Sequence, residues 1–429
     1  MKNNQELITE KHTQNIHQGL KRLSTLRHGI PGGLGNPRWT GELLLATYEM
    51  ARTGDLPTNG LEYRVGKSGG GFDVLDFKFR TPNSEFRTPN SEIDLSIPLN
   101  RRPWGAKIEI PFPIYGGGMS YGSISLNFMI ARAKAAMRLG TFTCTGEGGY
   151  PPPLVPYKDY IITQVATGMF GVREETIQYA RILEIKYAQG AKPGLGGHLL
   201  ADKVTTEVAR MRGAVSFSSL YSPFPFHSVY SVEDHRKHVD WLKAINPEAL
   251  ISVKVSTPTD VDMVAVGSYY AGANIIHIDG GYGGTGAAPE IAKKNIAMPI
   301  EFAIPRVHKY LLSEGVRDEV VLMASGGIRT ADDAAKIIAL GADGAVIAST
   351  ECVAVACTQC GNCERGRGCQ VGITTTDPDL SLLIDPEWGE ERLVNLYLAW
   401  AKRLRQILQD LGLRSIRELR GRTDLLVKH

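Results

Sequence analysis

The chain has 429 residues, which is enough for one large domain or for roughly two to three ordinary ones. Its 43% hydrophobic and 22% charged residues are typical of globular proteins, and a net charge of only +3 argues against a dedicated nucleic-acid or membrane surface. The polar stretch MKNNQELITEKHTQNIHQ has no apolar signal region, and no apolar run approaches a membrane span, so we expect a cytoplasmic protein.

Residues 1–105 are predicted to form an irregular N-terminal extension. A helix is predicted near Ile16–Leu26, and the glycine- and proline-rich sequence GIPGGLGNP follows it. The heptapeptide FRTPNSE occurs twice in tandem, at 79–85 and 86–92. Two copies are too few for a repeat fold, so we interpret them as a tolerated duplication in a surface loop.

Residues 106–380 alternate short apolar runs with amphipathic helical stretches. The eight candidate strands are PIYGGGMS, TFTCTGEGG, ILEIKYAQG, AVSFSSL, ALISVKVS, NIIHIDGG, VVLMASGG and GAVIAS. Two of the intervening helices carry N-terminal capping signals, Ser231 with Asp234 and Thr330 with Asp333. Alternating strands and helices indicate a parallel sheet covered by helices. Eight such units predict an α/β fold, a (β/α)8 TIM barrel.

Residues 381–429 are predicted to be a C-terminal helical segment. Leu393, Leu396, Trp400 and Leu404 recur at spacings of three and four, which indicates an amphipathic helix packed against the barrel. The arginines of the following LRSIRELRGR stretch are interpreted as a solvated face.

Glycine-rich loops follow most of the predicted strands, as in GGGMSYGS, TGEGG, AQGAKPGLGG, GGYGGTGAAP and SGGIRT. In a barrel the carboxyl ends of all strands meet at one mouth, where glycines let backbone N–H groups approach an anion. The alternatives are ordinary tight turns or, for GYGGTG at 281–286, a Rossmann dinucleotide site. The Rossmann pattern also needs a following strand that ends in an acidic residue, which is missing here. We therefore predict a ligand site at the mouth.

Polar side chains suited to chemistry fall in the same loops. Glu147 lies between glycines, and Lys192 lies near Gln189 in a loop of small residues. Lys254 interrupts the apolar strand SVKVS. Such a lysine is either paired structurally or directed at a ligand, and beside a flavin it would stabilise the negative charge of the reduced state.

Four cysteines are concentrated in residues 357–369 with the spacing C-x2-C-x2-C-x5-C: Cys357, Cys360, Cys363 and Cys369. In a cytoplasmic protein such a group indicates a metal site rather than disulfides. Zinc and an iron–sulfur cluster both accept four thiolates. The two other cysteines, Cys144 and Cys352, are predicted to be buried apolar thiols.

These motifs, together with QVATGMFGV (164–172), SVYSVEDH (228–235) and VGITTTDPDL (371–380), resemble the FMN-binding synthase domain of glutamate synthases. The resemblance covers about residues 110–380, and its motifs occur in the same order. It is strongest to stand-alone forms of this domain, which include the large subunit of N-methylglutamate synthase.

The resemblance implies a set of site residues. FMN would lie near Gly118, Met119 and Ser120, with Lys186 and Lys254 beside its ring system. Its phosphate would be held by Gly284, Gly286, Gly326, Gly327, Ala348 and Ser349. The carboxylates of a 2-oxoacid would meet Gln189, Lys192 and Arg212. Glu147 and Lys192 would be the catalytic residues, with Glu147 as the acid–base group beside the iminium carbon.

Glutamate synthases carry a 3Fe-4S cluster on a C-x5-C-x4-C-P-V-G pattern. Here Cys357, Cys363 and Cys369 overlay it with one added residue, and Gln-Val-Gly follows. Cys360 is an added thiolate that can complete a cubane, so we expect a 4Fe-4S cluster, with 3Fe-4S as the alternative. Zinc would not carry electrons to a flavin.

The implied activity is the reductive amination of 2-oxoglutarate to glutamate. The sequence shows neither a glutaminase-like segment nor a nicotinamide-binding fold, so ammonia and electrons are expected from partners in a hetero-oligomer. These would be a glutaminase-type amidotransferase subunit and an electron-donor subunit or ferredoxin.

Three other functions stay open. The first is N-methylglutamate synthase, which converts methylamine and glutamate to N-methylglutamate and ammonia. The second is a non-catalytic flavin electron-relay subunit. The third is a hydroxy-acid-oxidase or dihydroorotate-dehydrogenase-like barrel, although such enzymes need no cysteine cluster of this kind.

Overall fold

The computed structural model describes residues 38–79, 92–193, 198–221, 229–284, 292, 295–365 and 368–429. The helix predicted near residues 16–26 lies outside this part of the chain, as do all but the first and last residues of the FRTPNSE duplication. Gly286 of the predicted phosphate site also lies outside it.

Eight parallel strands form the predicted barrel. In chain order they are β1 (Ile114–Gly116), β2 (Thr143–Cys144), β3 (Ile161–Ala166), β4 (Ile182–Lys186), β5 (Leu250–Val255), β6 (Ile275–Asp279), β7 (Val321–Ser325) and β8 (Gly344–Ile347). Their order in the sheet is β1-β8-β7-β6-β5-β4-β3-β2. The Gly116 N–H donates to Phe142 O at 2.9 Å and a parallel bridge joins Gly118 to Cys144, so that β1 and β2 close the ring. The TIM-barrel prediction is confirmed.

One predicted strand is wrong, and one real strand was missed. The structure describes all of AVSFSSL (214–220), and only Leu220 lies in a strand, a short antiparallel pair outside the barrel. Val215 and Phe217 are 73% and 67% exposed, so their alternation with small residues reflects a surface turn. The missing strand is β3, whose six residues are all buried between β2 and β4. Because the two errors offset each other, the loops after β5 to β8 keep their predicted places.

Helices surround the barrel. The ones described are α1 (Gly41–Thr53), α2 (Leu126–Leu139), α3 (Glu174–Gln178), α4 (Thr206–Arg212), α5 (Val232–Ile245), α6 (Val261–Tyr270), α7 (Ile300–Ser313), α8 (Ala331–Ala339), α9 (Ser349–Ala354), α10 (Pro378–Ser381) and α11 (Pro386–Leu411). Ser231 and Thr330 cap α5 and α8 as predicted, because each hydroxyl accepts from the backbone N–H three residues on. Between β2 and β3 a 3-10 segment (Pro152–Tyr160) replaces the usual helix.

Described parts of the N-terminal extension pack against the C-terminal segment. The predicted helix is α11, whose buried face includes Leu393 and Trp400 and which packs on α1 and α2. Leu75–Phe77 pairs antiparallel with Leu426–Lys428, and Ile97–Pro98 pairs with Glu109–Ile110. Among the described residues, no helix combines the length and apolar character that crossing a bilayer requires.

Arg414 and Arg417 after α11 are exposed, as predicted for a solvated face, but two arginines of this segment also form ion pairs. Arg417 pairs with Glu109 at 2.9 Å, and Arg420 pairs with Asp318 at 2.6 Å. The segment therefore contacts the rest of the protein through these ion pairs and through its buried Ile416 and Leu419.

Candidate active site at the barrel mouth

Four charged side chains converge at the carboxyl ends of β2 and β4. Glu147 lies in the loop after β2, Lys186 ends β4, Lys192 lies in the following loop, and Arg212 ends α4. They are 4–9% exposed, and Lys186 Nζ lies 2.9 Å from Glu147 Oε1. A small cleft is lined by Glu147, Thr167, Lys186, Tyr187, Ala188, Gln189 and Lys192. The fold thus brings together the residues that were proposed for catalysis and substrate binding.

The electrostatics of this group centre on Glu147. Burial alone would raise the pKa of Glu147, but Lys186, Lys192 and Arg212 together lower it below its ordinary value. Burial lowers the pKa of Lys192 to about 8, with added repulsion from Lys186 and Arg212. Burial also lowers the pKa of Arg212 to about 10. The carboxylate is therefore ionised, and Lys192 is the cation most easily deprotonated near neutral pH.

Arg212 is held in place by hydrogen bonds and packing, but its Nε–H makes no hydrogen bond among the described residues. Its Nη2 donates to Tyr121 O at 2.7 Å and to Ser120 Oγ at 3.2 Å. Gly148 has a φ of +119°, and a Cβ there would lie 2.5 Å from Arg212 Cζ, so the guanidinium packs on bare backbone. Arg212 Nε is buried with no hydrogen-bond partner among the described residues. An anionic ligand would satisfy such a donor.

The loop after β1 contributes Gly118, Met119 and Ser120. A Cβ on Gly118 would lie 2.9 Å from Gln164 Nε2, so Gly118 packs closely against the barrel interior. Met119 Sδ lies 3.8 Å from Cys352 Sγ, which places this loop against α9. The loop therefore joins the mouth to the helix that precedes the cysteine-rich segment.

Lys254 is buried at the end of β5, beside the barrel axis. Its Nζ lies 3.6 Å from Asp279 Oδ2, and the same oxygen accepts from the Gly190 N–H at 3.0 Å. Burial alone would lower the pKa of Lys254, but Asp279 and then Glu184 raise it above its ordinary value. Lys254 is therefore a permanent cation, and Asp279 ties it to the loop that carries Lys192.

Sequence reasoning missed a polar chain below Lys254. Asp279 Oδ1 accepts from Ser325 Oγ at 2.5 Å, and Ser325 Oγ lies 2.8 Å from His277 Nε2. Glu184 lies 2.9 Å from His277 Nδ1 and accepts from Gln164 Nε2 at 2.7 Å. The signal was available, because Glu184 in ILEIK and His277 in IIHID interrupt apolar strands just as Lys254 does.

The predicted phosphate residues lie at the ends of β6, β7 and β8. Gly326 and Gly327 have φ values of +91° and +88°, which favour glycine. A Cβ on Gly284 would lie 2.9 Å from the Ser349 hydroxyl oxygen, and Ala348 is the residue that precedes α9. The two glycine loops and the start of α9 are thus neighbours.

The backbone of Gly280 joins three of the loops around the mouth. A Cβ on Gly190 would lie 1.8 Å from Gly280 O, and a Cβ on Gly326 would lie 2.4 Å from the same oxygen. The loops after β4 and β7 therefore both rest on the loop after β6 by backbone contact.

None of the six cysteines, all of which the structure describes, forms a disulfide. Burial, together with the nearby thiols of Cys369, Cys363 and Cys360, raises the pKa of Cys357 to about 12. Within the described ranges no three His, Cys, Asp or Glu side chains are arranged to hold a metal ion. The four thiols are thus neighbours, but they do not form a closed coordination site. Cys144 and Cys352 are buried, as predicted.

Comparison with solved structures supports the fold. A double mutant of flavocytochrome b2 with pyruvate bound superposes with a TM-score of 0.51 at 13% identity, covering 100% of this chain and 92% of that one. A Pediococcus acidilactici protein described as a lactate oxidase gives a TM-score of 0.52 at 10% identity, covering 97% and 94%. At such low identity these likenesses concern the fold alone.

Sequence comparison identifies the family. Residues 86–414 match the conserved region in glutamate synthase. The archaeal glutamate synthase (NADPH) of Methanocaldococcus jannaschii is 44% identical over 320 residues, which are 74% of this chain and 62% of that protein. The archaeal-type glutamate synthase (NADPH) of Dehalococcoides mccartyi is 37% identical over 401 residues, 90% of this chain and 80% of that one. The chain spans less than two thirds of the length of the first of these relatives. It belongs to the glutamate synthase family.

Proposed function

We propose that the chain is an FMN- and iron–sulfur-dependent catalytic subunit of the glutamate synthase type, which reductively aminates 2-oxoglutarate to glutamate. Membership in the glutamate synthase family supports this activity. The observation that carries it is the buried Glu147 beside Lys186, with Lys192 and Arg212 as its further cationic neighbours.

The charge of this cluster suits a dicarboxylate. Three cations surround one carboxylate, which leaves an excess of two positive charges in a buried cleft. A 2-oxoacid with two carboxylates brings two negative charges, so binding would neutralise the site. Gln189 lines the same cleft as Lys192, and Arg212 offers its remaining N–H donor.

Glu147 is suited to proton transfer at the reacting carbon. Ammonia adds to the C2 carbonyl of 2-oxoglutarate, water leaves, and the resulting iminium takes up a hydride to give glutamate. Because Glu147 is ionised, it takes a proton from the attacking nitrogen and passes it to the carbonyl oxygen. A second proton, from solvent, lets this oxygen leave as water. Lys186, at 2.9 Å, holds the carboxylate in place through these steps.

The residues at the mouth fit FMN. Reduced FMN, when bound, supplies the hydride. Lys254 is a buried cation at the strand ends, where it would stabilise negative charge on the flavin ring, and the tight backbone of Gly118 would allow close approach. The positive-φ glycines Gly326 and Gly327, with Gly284, Ala348 and Ser349, form a side-chain-poor cradle suited to the phosphate.

Four neighbouring half-buried thiols match the ligand type of an iron–sulfur cluster. Cys357, Cys360, Cys363 and Cys369 would hold a 4Fe-4S cluster, the route by which electrons enter. Ammonia would come from a glutaminase-type amidotransferase subunit and electrons from an electron-donor subunit or ferredoxin. The active form would then be a cytoplasmic hetero-oligomer.

The test is anaerobic purification with quantified FMN, iron and sulfide, followed by reduction and two assays. One supplies 2-oxoglutarate and ammonia, and the other supplies glutamate and methylamine. Flavin oxidation that tracks glutamate formation supports the proposal. N-methylglutamate formed without net flavin oxidation would make the chain a methylamine-using enzyme instead. A protein that retains neither flavin nor iron would contradict both functions.

A further inference from the structure

Arg38 reaches the phosphate end of the barrel mouth, although it belongs to the N-terminal extension. A Cβ added to Gly327 would lie only 2.8 Å from Arg38 Nη2, so the guanidinium packs against this glycine. The guanidinium carbon of Arg38 lies 3.6 Å from the centre of the Tyr282 ring, in the loop after β6. The guanidinium thus lies between the loops that follow β6 and β7.

A hydrogen bond from Arg329 holds the backbone of Arg38 in place. Arg329, in the loop after β7, donates through Nη1 to Arg38 O at 2.8 Å. Arg329 itself is buried and pairs with Asp73 at 2.5 Å and with Asp333 at 2.9 Å. Two carboxylates therefore neutralise Arg329, and its role is to anchor the extension. Arg38 is the cation that faces the glycine loop.

The residues proposed for the phosphate carry no charge. Gly284, Gly326, Gly327, Ala348 and Ser349 can offer N–H groups and a hydroxyl, but a phosphate monoester carries up to two negative charges. We infer that Arg38 supplies the side-chain cation that binds the phosphate of FMN at the Gly326–Gly327 loop. The inference rests on the proposed FMN site, and it gives the N-terminal extension a part in cofactor binding.

Glu301 on α7 is the acidic neighbour of Arg38 and offers a purely structural role for it. Burial raises the pKa of Glu301 above its ordinary value, although Arg38 opposes the shift. A guanidinium has five N–H donors, so Arg38 can contact Glu301 and a phosphate at the same time. The structural role and the phosphate-binding role make different predictions. If Arg38 binds the phosphate, its replacement should weaken the binding only of ligands that carry a phosphate.

The experiment compares FMN with riboflavin, which has the same ring system but no phosphate. The dissociation constants of both are measured by quenching of flavin fluorescence on the deflavinated protein. The variants are Arg38→Gln, Arg38→Lys and, as a control on the same extension, Arg52→Gln, whose partner is Glu49 on its own helix. Arg38→Gln should weaken FMN binding about 10- to 100-fold and leave riboflavin binding unchanged. Arg38→Lys should lose less, and Arg52→Gln should match the wild type.

Unchanged FMN affinity in Arg38→Gln would overturn the inference and leave the proposed function standing. An equal loss of FMN and riboflavin affinity would also overturn it, because Arg38 would then only support the shape of the mouth. Wild-type protein that binds neither flavin would overturn the FMN site itself, and this inference with it.

Discussion

Glu184 Oε2 lies 2.9 Å from His277 Nδ1 inside the barrel, and each side chain is about 1% exposed. Through Ser325 and Asp279 this pair is linked to Lys254 at the mouth. A buried polar chain that is hydrogen-bonded at each step favours one arrangement of its members. The barrel interior therefore helps to set the position and charge of Lys254.

Acid should weaken the fold partly through Glu184. Burial alone would raise the pKa of Glu184. The effect of burial is outweighed by His277, Lys254 and Gln164, which together lower this pKa from 4.5 to about 2. A group with a lowered pKa in the fold stabilises above its unfolded pKa, and this contribution is lost as the pH falls to the folded pKa. Urea unfolding should show that the wild-type advantage over Glu184→Gln shrinks between pH 4.5 and about 2. The exposed Glu175→Gln is the control, and a constant advantage would contradict the prediction.

Glu147→Gln should lower glutamate formation by about 10²- to 10⁴-fold, because an amide cannot exchange the proton at the reacting nitrogen. Flavin content should remain that of the wild type, since Glu147 is proposed to act on the substrate and not to hold the flavin. Steady-state turnover and the flavin absorbance of the purified variant give the two readings. Glu174→Gln, on the exposed side of α3, should leave both unchanged. Turnover within tenfold of wild type would remove Glu147 from the acid–base role.

The KM for 2-oxoglutarate should rise above pH 8. Burial lowers the pKa of Lys192 to about 8, so its charge is present below that pH and is lost above it. Lys192→Arg keeps its charge to higher pH, so its KM should stay flat through this range even if it starts higher. Profiles of KM and kcat against pH for both proteins make the comparison. Parallel rises in the two proteins would point to a different titrating group.

Removing one partner of the buried pair of Arg132 and Glu351 should destabilise the fold strongly. Arg132 Nε lies 2.8 Å from Glu351 Oε2, and Nη2 of the same arginine donates to Gly117 O, next to Gly118. Arg132→Met leaves Glu351 as an unpaired buried charge and should cost about 3–5 kcal/mol in the free energy of unfolding. The double variant with Glu351→Leu should recover part of that cost in guanidinium unfolding. A double cost equal to the sum of the single costs would mean that the pair is not coupled.

Cys360 distinguishes the two cluster types. If it supplies the fourth ligand, Cys360→Ser should lower the iron content from about four to about three atoms per chain and give the electron paramagnetic resonance signal of an oxidised 3Fe cluster. Cys363→Ser should lose the cluster altogether. Cys352→Ser, which removes a buried thiol in contact with Met119, should retain full iron. Full iron in Cys360→Ser would favour the three-cysteine arrangement.

The sequence supports most of the barrel because buried parallel strands are short apolar runs with turn residues at their ends. It failed at β3, where Thr163 and Gln164 break the apolar run and a 3-10 segment with Pro156 gives no helical period ahead of it. Conversely, a strand was predicted around Val215 and Phe217 where the barrel has none. Alternation along the sequence does not reveal whether a partner strand exists.

At the mouth, the prediction used isolated charged residues in glycine-rich or apolar surroundings, and two of these, Glu147 and Lys254, are buried there. Arg38 could not be found in this way. Its significance depends on a contact with Gly327, which is distant in sequence, and nothing in its local sequence distinguishes it from other arginines. Local patterns reveal residues that are unusual where they stand, whereas tertiary contacts decide the rest.

The meeting of three loops at Gly280 has a consequence for engineering. Because Gly190 and Gly326 both press bare backbone onto one carbonyl, a combinatorial library that varies positions 190, 280 and 326 should return almost only the parental sequence. Altered substrate preference must therefore be sought at cleft positions whose side chains already occupy space, such as Thr167 and Ala188. The side chains that line the cleft can therefore be varied, whereas the glycines that meet at Gly280 cannot.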